Sequence, residues 1–545
     1  MRGLQSDPAA APDRPRPSAD RAHEERPAPR RRLGWLVVTL PALVELVVGG
    51  YRIGGPSFWR DEGYTITGSQ RPVGAIFRLV QHEDAFHGLY LLMMHPVIAL
   101  FGRSEMALRV PSLIAMCVAV GLTAALGRRL AQASGLPGAS AVGMIAGLML
   151  AALPVTTRYA QEGRPYALTV LFAVLATYLL VAASARTDWR WWALYSAAML
   201  LTGLFDLAAV LLAGTHGVSL LVAQRGKPAD GAAAPAAAGG LSASVLKRWL
   251  TACSAAAIVL SPVAFFSFRQ SAQLDWVQRP NMQTVMGLLQ DFAGVAALIP
   301  VAGVLALLGC IAGRGLRRRR GLTLAVVCLP WFVMPPSLLL AVSLAHPVYV
   351  DRYILFCVPA LVLLASAGLV WLVRLTRQRI AGRVPARRAT ILSVVPSAAL
   401  AVLMVVLLIG PQAAIRLPNS RADDLRTIAG VLARRERPGD AVLYLPRKTA
   451  VIGRAYPDPF SKLRDVGLQA GPIASGTLLG VPAAPSVMAA RLRRVRRVWA
   501  VEWVHPLAPD SAPPADLIKL LTPMHVIGSW LIQSVLLVLY ALPSH

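Results

Sequence analysis

Long apolar runs separated by short polar segments fill the chain as far as residue 410. A helix needs about 20 predominantly apolar residues to cross a bilayer, and about eleven segments approach that length. They cover residues 33–51, 107–127, 139–157, 166–184, 190–205, 207–223, 248–268, 288–312, 321–344, 353–373 and 389–410. This pattern predicts an all-α polytopic membrane protein over residues 33–410, with a long first loop at residues 52–106.

The pattern changes after residue 410. Residues 421–437 have the spacing of an amphipathic helix, and three later segments rich in Val, Leu, Trp and Tyr are predicted to be strands: residues 440–445, 497–503 and 529–540. We therefore predict a small α/β domain over residues 411–545. The last apolar stretch is alternatively a twelfth span, but its polar residues Gln533 and Ser534 favour a strand.

Composition and charge limit the class of protein. Hydrophobic residues make up 56% of the chain, charged residues 15%, and the mean hydropathy is +0.55, which excludes a soluble enzyme, a disordered scaffold and a secreted disulfide framework. The 55 Lys and Arg against 27 Asp and Glu leave a net charge of +28, and the excess lies in alternate loops, as is typical of cytoplasmic loops. We therefore expect a cell-membrane protein with a cytoplasmic N-terminus, an extracytoplasmic α/β domain and no nucleic-acid partner. Residues 1–32 are predicted to be a disordered basic cytoplasmic tail, and residues 226–240 a cytoplasmic linker.

Two polar clusters interrupt the first loop. Asp61 and Glu62 form the first cluster, and Asp84 and His87 belong to the second. Acidic side chains at the edge of a bilayer are costly unless they are paired, so they often mark a functional site. A carboxylate that is partly shielded from water has a raised pKa, which suits a general base.

Three arginines lie on the side of the membrane where positive charge is disfavoured. Arg158 and Arg164 lie between the third and fourth spans, and Arg352 opens the tenth. A lipid phosphate would satisfy them, because a guanidinium binds phosphate oxygens in a bidentate fork.

Each charged group also has a local explanation that involves no ligand. Asp61 would pair with Arg60 or Arg71, Glu162 would pair with a neighbouring arginine, and Asp351 would pair with Arg352.

Taken in order along the chain, these elements resemble the GT-C superfamily of integral-membrane glycosyltransferases. The resemblance rests on the two polar clusters, the Arg-Tyr-x-x-x-x-Arg-Pro-Tyr element at residues 158–166 and the Asp-Arg-Tyr element at residues 351–353. The nearest branch is the protein O-mannosyltransferase-like and aminoarabinose-transferase-like group, whose members use polyprenyl-phosphate sugars. The resemblance covers about residues 33–410 and implies a GT-C fold and a single in-line displacement that inverts the anomeric carbon.

The resemblance also implies roles for individual residues. Asp61 would deprotonate the acceptor hydroxyl, with Glu62 as its neighbour. Asp84 and His87 would bind a divalent cation, Mg or Mn, or orient the acceptor. The donor phosphate would be bound by Arg158, Tyr159, Arg164 and Arg352.

The function that follows is transfer of a sugar from a polyprenyl-phosphate donor to an extracytoplasmic hydroxyl of a protein, glycan or lipid. Mannose is the default sugar of the family, and arabinose or a related pentose is the alternative. The rival function is a transporter or flippase for a polyprenyl lipid, which needs charges along a path at mid-membrane depth. Charges clustered at one face favour the enzyme, and this hypothesis requires the acidic residues and the arginines to meet around one pocket.

Overall fold

The N-terminal three quarters of the protein form a bundle of helices of very different lengths, as seen in a computed structural model. The structure describes residues 34–225, 243–314, 321–381, 383–504 and 515–543. The predicted tail at residues 1–32 and the predicted linker at residues 226–240 lie outside the described residues.

Sixteen helices of the described ranges precede the C-terminal domain. They are α1 (Leu36–Gly50), α2 (Arg60–Ser69), α3 (Val73–His82), α4 (Gly88–Phe101), α5 (Glu105–Ala133), α6 (Ala139–Ala152), α7 (Pro154–Ala160), α8 (Tyr166–Ser184), α9 (Trp189–Phe205), α10 (Leu211–Gln224), α11 (Ala243–Arg269), α12 (Met282–Ala293), α13 (Ile299–Arg314), α14 (Leu324–Ala345), α15 (Val358–Ile380) and α16 (Ala386–Ala414). Short 3₁₀ helices join some of them, at Ala85–His87, Leu207–Val210, Ser271–Leu274, Ala296–Leu298 and Asp351–Cys357.

The prediction of a polytopic helical membrane protein is confirmed, although fewer helices than the eleven predicted segments pass a test of length and composition. By length and composition, seven helices in the described part of the chain can cross a membrane, or up to nine if each of two bent pairs is one span. Each predicted span coincides with a helix or a bent pair. Two of these helices, α1 with 15 residues and α9 with 17, are shorter than the length used in that test. At a rise of about 1.5 Å per residue, both helices are somewhat shorter than the roughly 30 Å of hydrocarbon.

The predicted span at residues 139–157 is broken. α6 ends at Ala152, α7 begins at Pro154, and the two axes differ by 67°. Proline lacks a backbone N–H and suits the first position of a helix, so Pro154 ends one helix and starts the next. The bend places the segment after α7 against the end of α1, where Gln161 Nε2 donates to the carbonyl of Gly49 at 2.7 Å.

The first loop is largely helical. It contains α2, α3 and α4, and eight of the ten residues of α2 are buried although the helix is polar. Buried polar side chains need partners. The contacts of α2 therefore define much of the candidate site.

The predicted α/β domain is confirmed. Its described strands are β1 (Ala441–Leu445), β2 (Arg464–Asp465), β3 (Leu468–Ala470), β4 (Val481–Pro482), β5 (Arg497–Trp503), β6 (His525–Ile532) and β7 (Val535–Ala541). Its described helices are α17 (Leu425–Ala433), α18 (Val451–Ala455), α19 (Pro457–Phe460), α20 (Pro472–Ser475), α21 (Pro485–Leu492) and α22 (Ala515–Lys519).

The larger sheet of the described residues has the order β2-β1-β5-β7-β6. β1 is parallel to β2 and β5, whereas β7 is antiparallel to β5 and β6. The stretch at residues 529–540 is neither one strand, as predicted, nor a twelfth span. It belongs to the β6–β7 hairpin, whose turn contains Gln533 with a φ of 51°, and the polar residues are there because they form the turn.

Candidate active site

Asp61 lies in the first turn of α2 and faces Arg352. Its Oδ2 is 3.5 Å from Arg352 Nη2, and the two side chains are 12% and 17% exposed. The local partners considered from the sequence are engaged elsewhere: Arg60 pairs with Asp423 at 2.9 Å, and Arg71 donates to backbone carbonyls of the C-terminal domain. A carboxylate and a guanidinium separated by 291 positions in sequence therefore meet at one point, as the enzyme hypothesis requires.

His87 links the second polar cluster to Arg164. Its Nδ1 is 2.6 Å from Asp84 Oδ1, and its Nε2 is 2.5 Å from Arg164 Nη2. Because a guanidinium can only donate, Nε2 accepts, and Nδ1 carries the proton that is donated to Asp84. Arg164 Nη1 also donates to the backbone carbonyl of Asp61 at 3.3 Å. Asp84, His87, Arg164 and Asp61 thus form one continuous series of contacts.

Asp84 and His87 do not fit a divalent cation in this arrangement. Both ring nitrogens of His87 are engaged, by Asp84 and Arg164. In the part of the chain that the structure describes, no group of three or more His, Cys, Asp or Glu is placed to hold a metal. Mg²⁺ and Mn²⁺ favour octahedral sites rich in oxygen ligands, so this donor set is too small. The arrangement instead orients Arg164.

Glu62 has a different partner from its neighbour Asp61. Arg109 donates to both of its carboxylate oxygens at 2.8 Å, and both side chains are fully buried. The backbone N–H of Gly163 donates to the same carboxylate at 2.9 Å. Glu62 therefore joins α2, α5 and the segment before α8. The sequence analysis missed Arg109, although an ionisable residue inside a predicted span is the signal that could have found it.

Aromatic rings surround Arg352. Among the described residues, four ring centroids lie 5.8 to 5.9 Å from its guanidinium carbon: Trp59, Tyr166, Trp276 and Tyr353. The backbone N–H of Arg352 donates to Asp351 Oδ1 at 2.8 Å, and the guanidinium extends toward Asp61. The local ion pair between Asp351 and the Arg352 side chain is therefore not formed.

Arg158 and Glu162 lie beside this series of contacts. The Nε of Arg158 and both carboxylate oxygens of Glu162 are buried without a hydrogen-bond partner among the described residues. Burial raises the pKa of Glu162, against the lowering effects of Arg158 and Arg421. Arg421 Nη2 donates to the carbonyls of Arg158 and Gln161 at 3.3 and 3.0 Å and so holds the end of α7. Burial lowers the pKa of Arg421 to about 10, which leaves it charged near neutral pH.

The structure thus brings five of the predicted residues into contact: Asp61, Asp84, His87, Arg164 and Arg352. Arg158 and Tyr159 lie in the adjoining segment. The ring of Tyr159 meets the ring of Tyr166 edge-on at 5.4 Å, and Tyr166 in turn lies beside Arg352. Glu62 and Arg109 form a buried ion pair next to this cluster, and Glu62 directly follows Asp61 in the chain.

A family model matches part of this region. The model of the dolichyl-phosphate-mannose-protein mannosyltransferases matches residues 89–225, about a quarter of the chain. No curated protein sequence matches the chain.

Solved structures match over nearly the whole chain. ArnT from Cupriavidus metallidurans bound to undecaprenyl phosphate is 16% identical, with a TM-score of 0.58, over 93% of this chain and 98% of that one. The archaeal oligosaccharyltransferase AglB from Archaeoglobus fulgidus, in complex with an inhibitory peptide and a dolichol-phosphate, is 11% identical, with a TM-score of 0.52, over 94% of this chain and 75% of that one. Both are GT-C glycosyltransferases. The chain therefore has the GT-C glycosyltransferase fold, and the resemblance noted in its sequence is confirmed by that fold and by the mannosyltransferase family model.

Proposed function

We propose that the protein is an inverting glycosyltransferase that moves a sugar, with mannose as the first candidate, from a polyprenyl-phosphate donor to an extracytoplasmic acceptor hydroxyl. The observation that carries this proposal is the 3.5 Å approach of Asp61 to Arg352, where both side chains are mostly buried but not fully enclosed. A base and a cation for the leaving phosphate are the two groups that an in-line displacement at an anomeric carbon needs.

In the proposed reaction, Asp61 accepts the proton of the acceptor hydroxyl. The acceptor oxygen forms a bond to the anomeric carbon, and the bond from that carbon to the phosphate oxygen breaks with its electron pair on the polyprenyl phosphate. Because attack and departure occur on opposite faces, the anomeric configuration inverts. One base and a stabilised leaving group therefore suffice for the reaction.

Arg352 and Arg164 are proposed to bind the leaving phosphate. In the structure, Arg352 faces Asp61, so a donor phosphate would take over part of the contact that now holds the carboxylate. Release of Asp61 Oδ2 from that contact would free the base at the moment the donor binds. The guanidinium of Arg164 is held in place by His87 and by the carbonyl of Asp61. Its position is therefore fixed before the phosphate binds.

An apolar cavity offers a place for the isoprenoid tail. It has a volume of about 1000 Å³ and lies between α6, α13, α15 and α16. One end reaches Leu153, which joins α6 to the helix of Arg158, and the other end reaches Arg374 and Arg377. With its phosphate at the Leu153 end, a tail in this cavity would begin beside α7, the helix that carries Arg158.

The ligands of the similar structures support the donor class. ArnT was solved with undecaprenyl phosphate, and AglB with a dolichol-phosphate. Both share the fold of this chain, and both ligands combine a polyprenyl tail with a phosphate. The proposal of mannose rests on the family model, and the proposed extracytoplasmic side rests on the basic loops at the other ends of the helices.

The experiment reconstitutes the full-length protein in vesicles with undecaprenyl-phosphate mannose and an envelope extract as acceptor. The wild-type protein should release undecaprenyl phosphate and transfer labelled sugar. Asp61→Asn should lower the rate by about 10²- to 10⁴-fold, the usual contribution of a general base, because the amide cannot accept the proton. Binding of undecaprenyl phosphate should persist.

Asp516→Asn, on the exposed surface of the C-terminal domain, is the matched control and should keep the wild-type rate. Wild-type turnover by Asp61→Asn would refute the assignment of the base. Transfer from GDP-mannose alone would refute the donor class, and movement of labelled lipid between leaflets without transfer would favour the transporter.

A further inference from the structure

The first residue of α2, Arg60, is bound to the other end of the chain. Its Nε donates to Asp423 Oδ2 at 2.9 Å, its Nη2 donates to Asp423 Oδ1 at 3.2 Å, and its backbone N–H donates to Asp423 Oδ2 at 3.2 Å. Asp423 is fully buried. Arg60 directly precedes Asp61, so this contact fixes the residue next to the proposed base.

Asp423 caps the N-terminus of α2, although it lies 363 residues further along the chain than Arg60. The first N–H groups of a helix have no partner within the helix, and an N-cap side chain usually accepts one of them. The N-cap residue of α2 is Trp59, whose side chain makes no capping hydrogen bond among the described residues. The Asp423 carboxylate takes the acceptor role instead, and its negative charge also suits the positive end of the helix dipole.

The C-terminal domain holds Asp423 in place. Ser534, in the β6–β7 turn, donates from its hydroxyl to Asp423 Oδ1. The neighbouring Gln533 donates from Nε2 to the carbonyls of Asn419 and Arg421 at 2.7 and 2.9 Å. The turn therefore holds both Asp423 and the residues just before it.

The C-terminal domain also contacts Arg60 itself. The guanidinium carbon of Arg60 lies 3.9 Å from the ring centroid of Trp503, in β5. Stacking on an aromatic face adds a cation–π attraction to the ion pair. Arg60 is thus held between Asp423 and a strand of the sheet.

We infer that Asp423 is a positioning residue for sugar transfer: through Arg60 and the start of α2, it sets the place of the Asp61 carboxylate relative to the donor phosphate site. This inference rests on the proposed function. A displacement of about 1 Å at a reacting group can cost about 100-fold in rate. The inference therefore predicts a loss of turnover with little loss of donor binding.

Attachment of the C-terminal domain does not depend on Asp423 alone. Three further contacts join the same two regions: Ser57 N–H to the Pro418 carbonyl at 3.0 Å, Leu425 N–H to the Phe58 carbonyl at 3.3 Å, and Arg426 Nη2 to Glu105 Oε1 at 2.7 Å. A change at Asp423 should therefore leave the domain docked and alter the start of α2.

The experiment measures kcat and KM for undecaprenyl-phosphate mannose in vesicles that contain full-length Asp423→Asn, Asp423→Glu or Ser534→Ala. Asp423→Asn should lower kcat about 10- to 100-fold and leave KM within about twofold of wild type. Asp423→Glu should recover part of kcat because it restores the charge, and Ser534→Ala should lose less than Asp423→Asn. Asp465→Asn breaks an ion pair with Arg447 at 2.5 Å within the same domain and is the matched control, for which we expect the wild-type kcat.

The outcomes separate the inference from the proposed function. If wild type is active and Asp423→Asn keeps its kcat, the inference is wrong and the function stands. An equal loss of kcat in Asp423→Asn and Asp465→Asn, or a rise in KM without a change in kcat, would also overturn it. If wild type transfers no sugar from any polyprenyl-phosphate donor, the proposed function fails first. Should Asp423→Asn not fold, as judged by undecaprenyl phosphate binding, the kcat of Ser534→Ala decides.

Discussion

At the scale of single residues, two adjacent acids of α2 have different surroundings. Asp61 lies 3.5 Å from Arg352 and keeps 12% of its side chain exposed, whereas Glu62 is fully buried and held by two hydrogen bonds from Arg109. A carboxylate with every oxygen engaged is poorly placed to accept a proton from a substrate. The proposed base is therefore Asp61, and Glu62 is proposed to support it.

Replacing Glu62 by Gln should destabilise the protein. The Arg109 guanidinium would remain buried without its counter-charge, and breaking a buried ion pair costs about 3–5 kcal/mol. The measurement is the thermal unfolding temperature in detergent. Asp516→Asn is the control, because Asp516 and its partner Lys519 are both mostly exposed and a surface pair contributes about 0–1 kcal/mol. A Glu62→Gln protein with the wild-type unfolding temperature and no transfer would instead show a direct chemical role.

His87 should make stability depend on pH. Burial lowers its pKa, and Arg164 lowers it further, against the raising effect of Asp84, so the folded protein holds the pKa below 6.5. As the pH falls through 6.5, the unfolded chain takes up the proton more readily than the folded one, and the free energy of unfolding falls by at most about 1.4 kcal/mol per pH unit.

The pH experiment compares unfolding temperatures at about pH 7.5 and about pH 5.5 for wild type and His87→Gln. The fall in unfolding temperature between the two pH values should be smaller in the variant, because the variant lacks this histidine. The other histidines contribute equally to both proteins, so the difference between the two falls is due to His87. Asp84 does not contribute in this range: the pKa of its carboxyl is already below 3.8, because His87 and Arg164 outweigh the raising effect of burial. An equal drop in both proteins would contradict the assignment.

At the scale of elements, the break between α6 and α7 connects the membrane cavity to the polar site. Leu153, at the break, lines the cavity, while α7 carries Arg158 toward the proposed phosphate site. If residues 139–157 formed one continuous helix, Arg158 and the segment after it would lie away from the end of α1. The proline that breaks the span therefore also positions the site.

Narrowing the cavity should weaken binding of a long polyprenyl lipid. Ala401→Trp fills part of the space lined by α16, and displacing two buried carbons of the tail would cost about 1.6 kcal/mol, roughly a tenfold loss of affinity. The measurement is the Kd of undecaprenyl phosphate, compared with that of a short-chain geranyl phosphate, which should change little. Val402→Trp is the matched control, because this neighbour is 63% exposed and does not line the cavity. Equal effects of the two substitutions would argue against a tail in the cavity.

At the scale of the whole molecule, the parts predicted from sequence are those encoded locally. Long apolar runs predict the helices of the bundle, and alternating or β-branched runs predict the strands. Each of these patterns can be identified in its own segment, without knowing which other segment it contacts. The ion pairs that build the site join residues far apart, such as Arg109 with Glu62 at a separation of 47 and Arg60 with Asp423 at 363. A single sequence does not show which acidic side chain pairs with which basic side chain. The meeting of Asp61 with Arg352 was predicted because the order of motifs resembled a known superfamily.

The orientation in the membrane is testable by accessibility. Ser461→Cys, exposed in the C-terminal domain, should react with a membrane-impermeant maleimide in intact cells. Thr187→Cys is exposed between α8 and α9, where Arg186 and Arg190 predict a cytoplasmic loop, and it should react only after permeabilisation. The wild-type chain is the control, since its five cysteines are buried or half-buried. The reverse pattern would place the proposed site on the cytoplasmic side.

The cap on α2 has a consequence for biosynthesis. Asp423 is translated 363 residues after Arg60, which at about 5–20 residues per second is a delay on the order of tens of seconds. During that interval, a nascent chain already contains its proposed base, Asp61, but lacks the Asp423 carboxylate that aligns it. Sugar transfer would thus reach its full rate only after export and docking of the last domain.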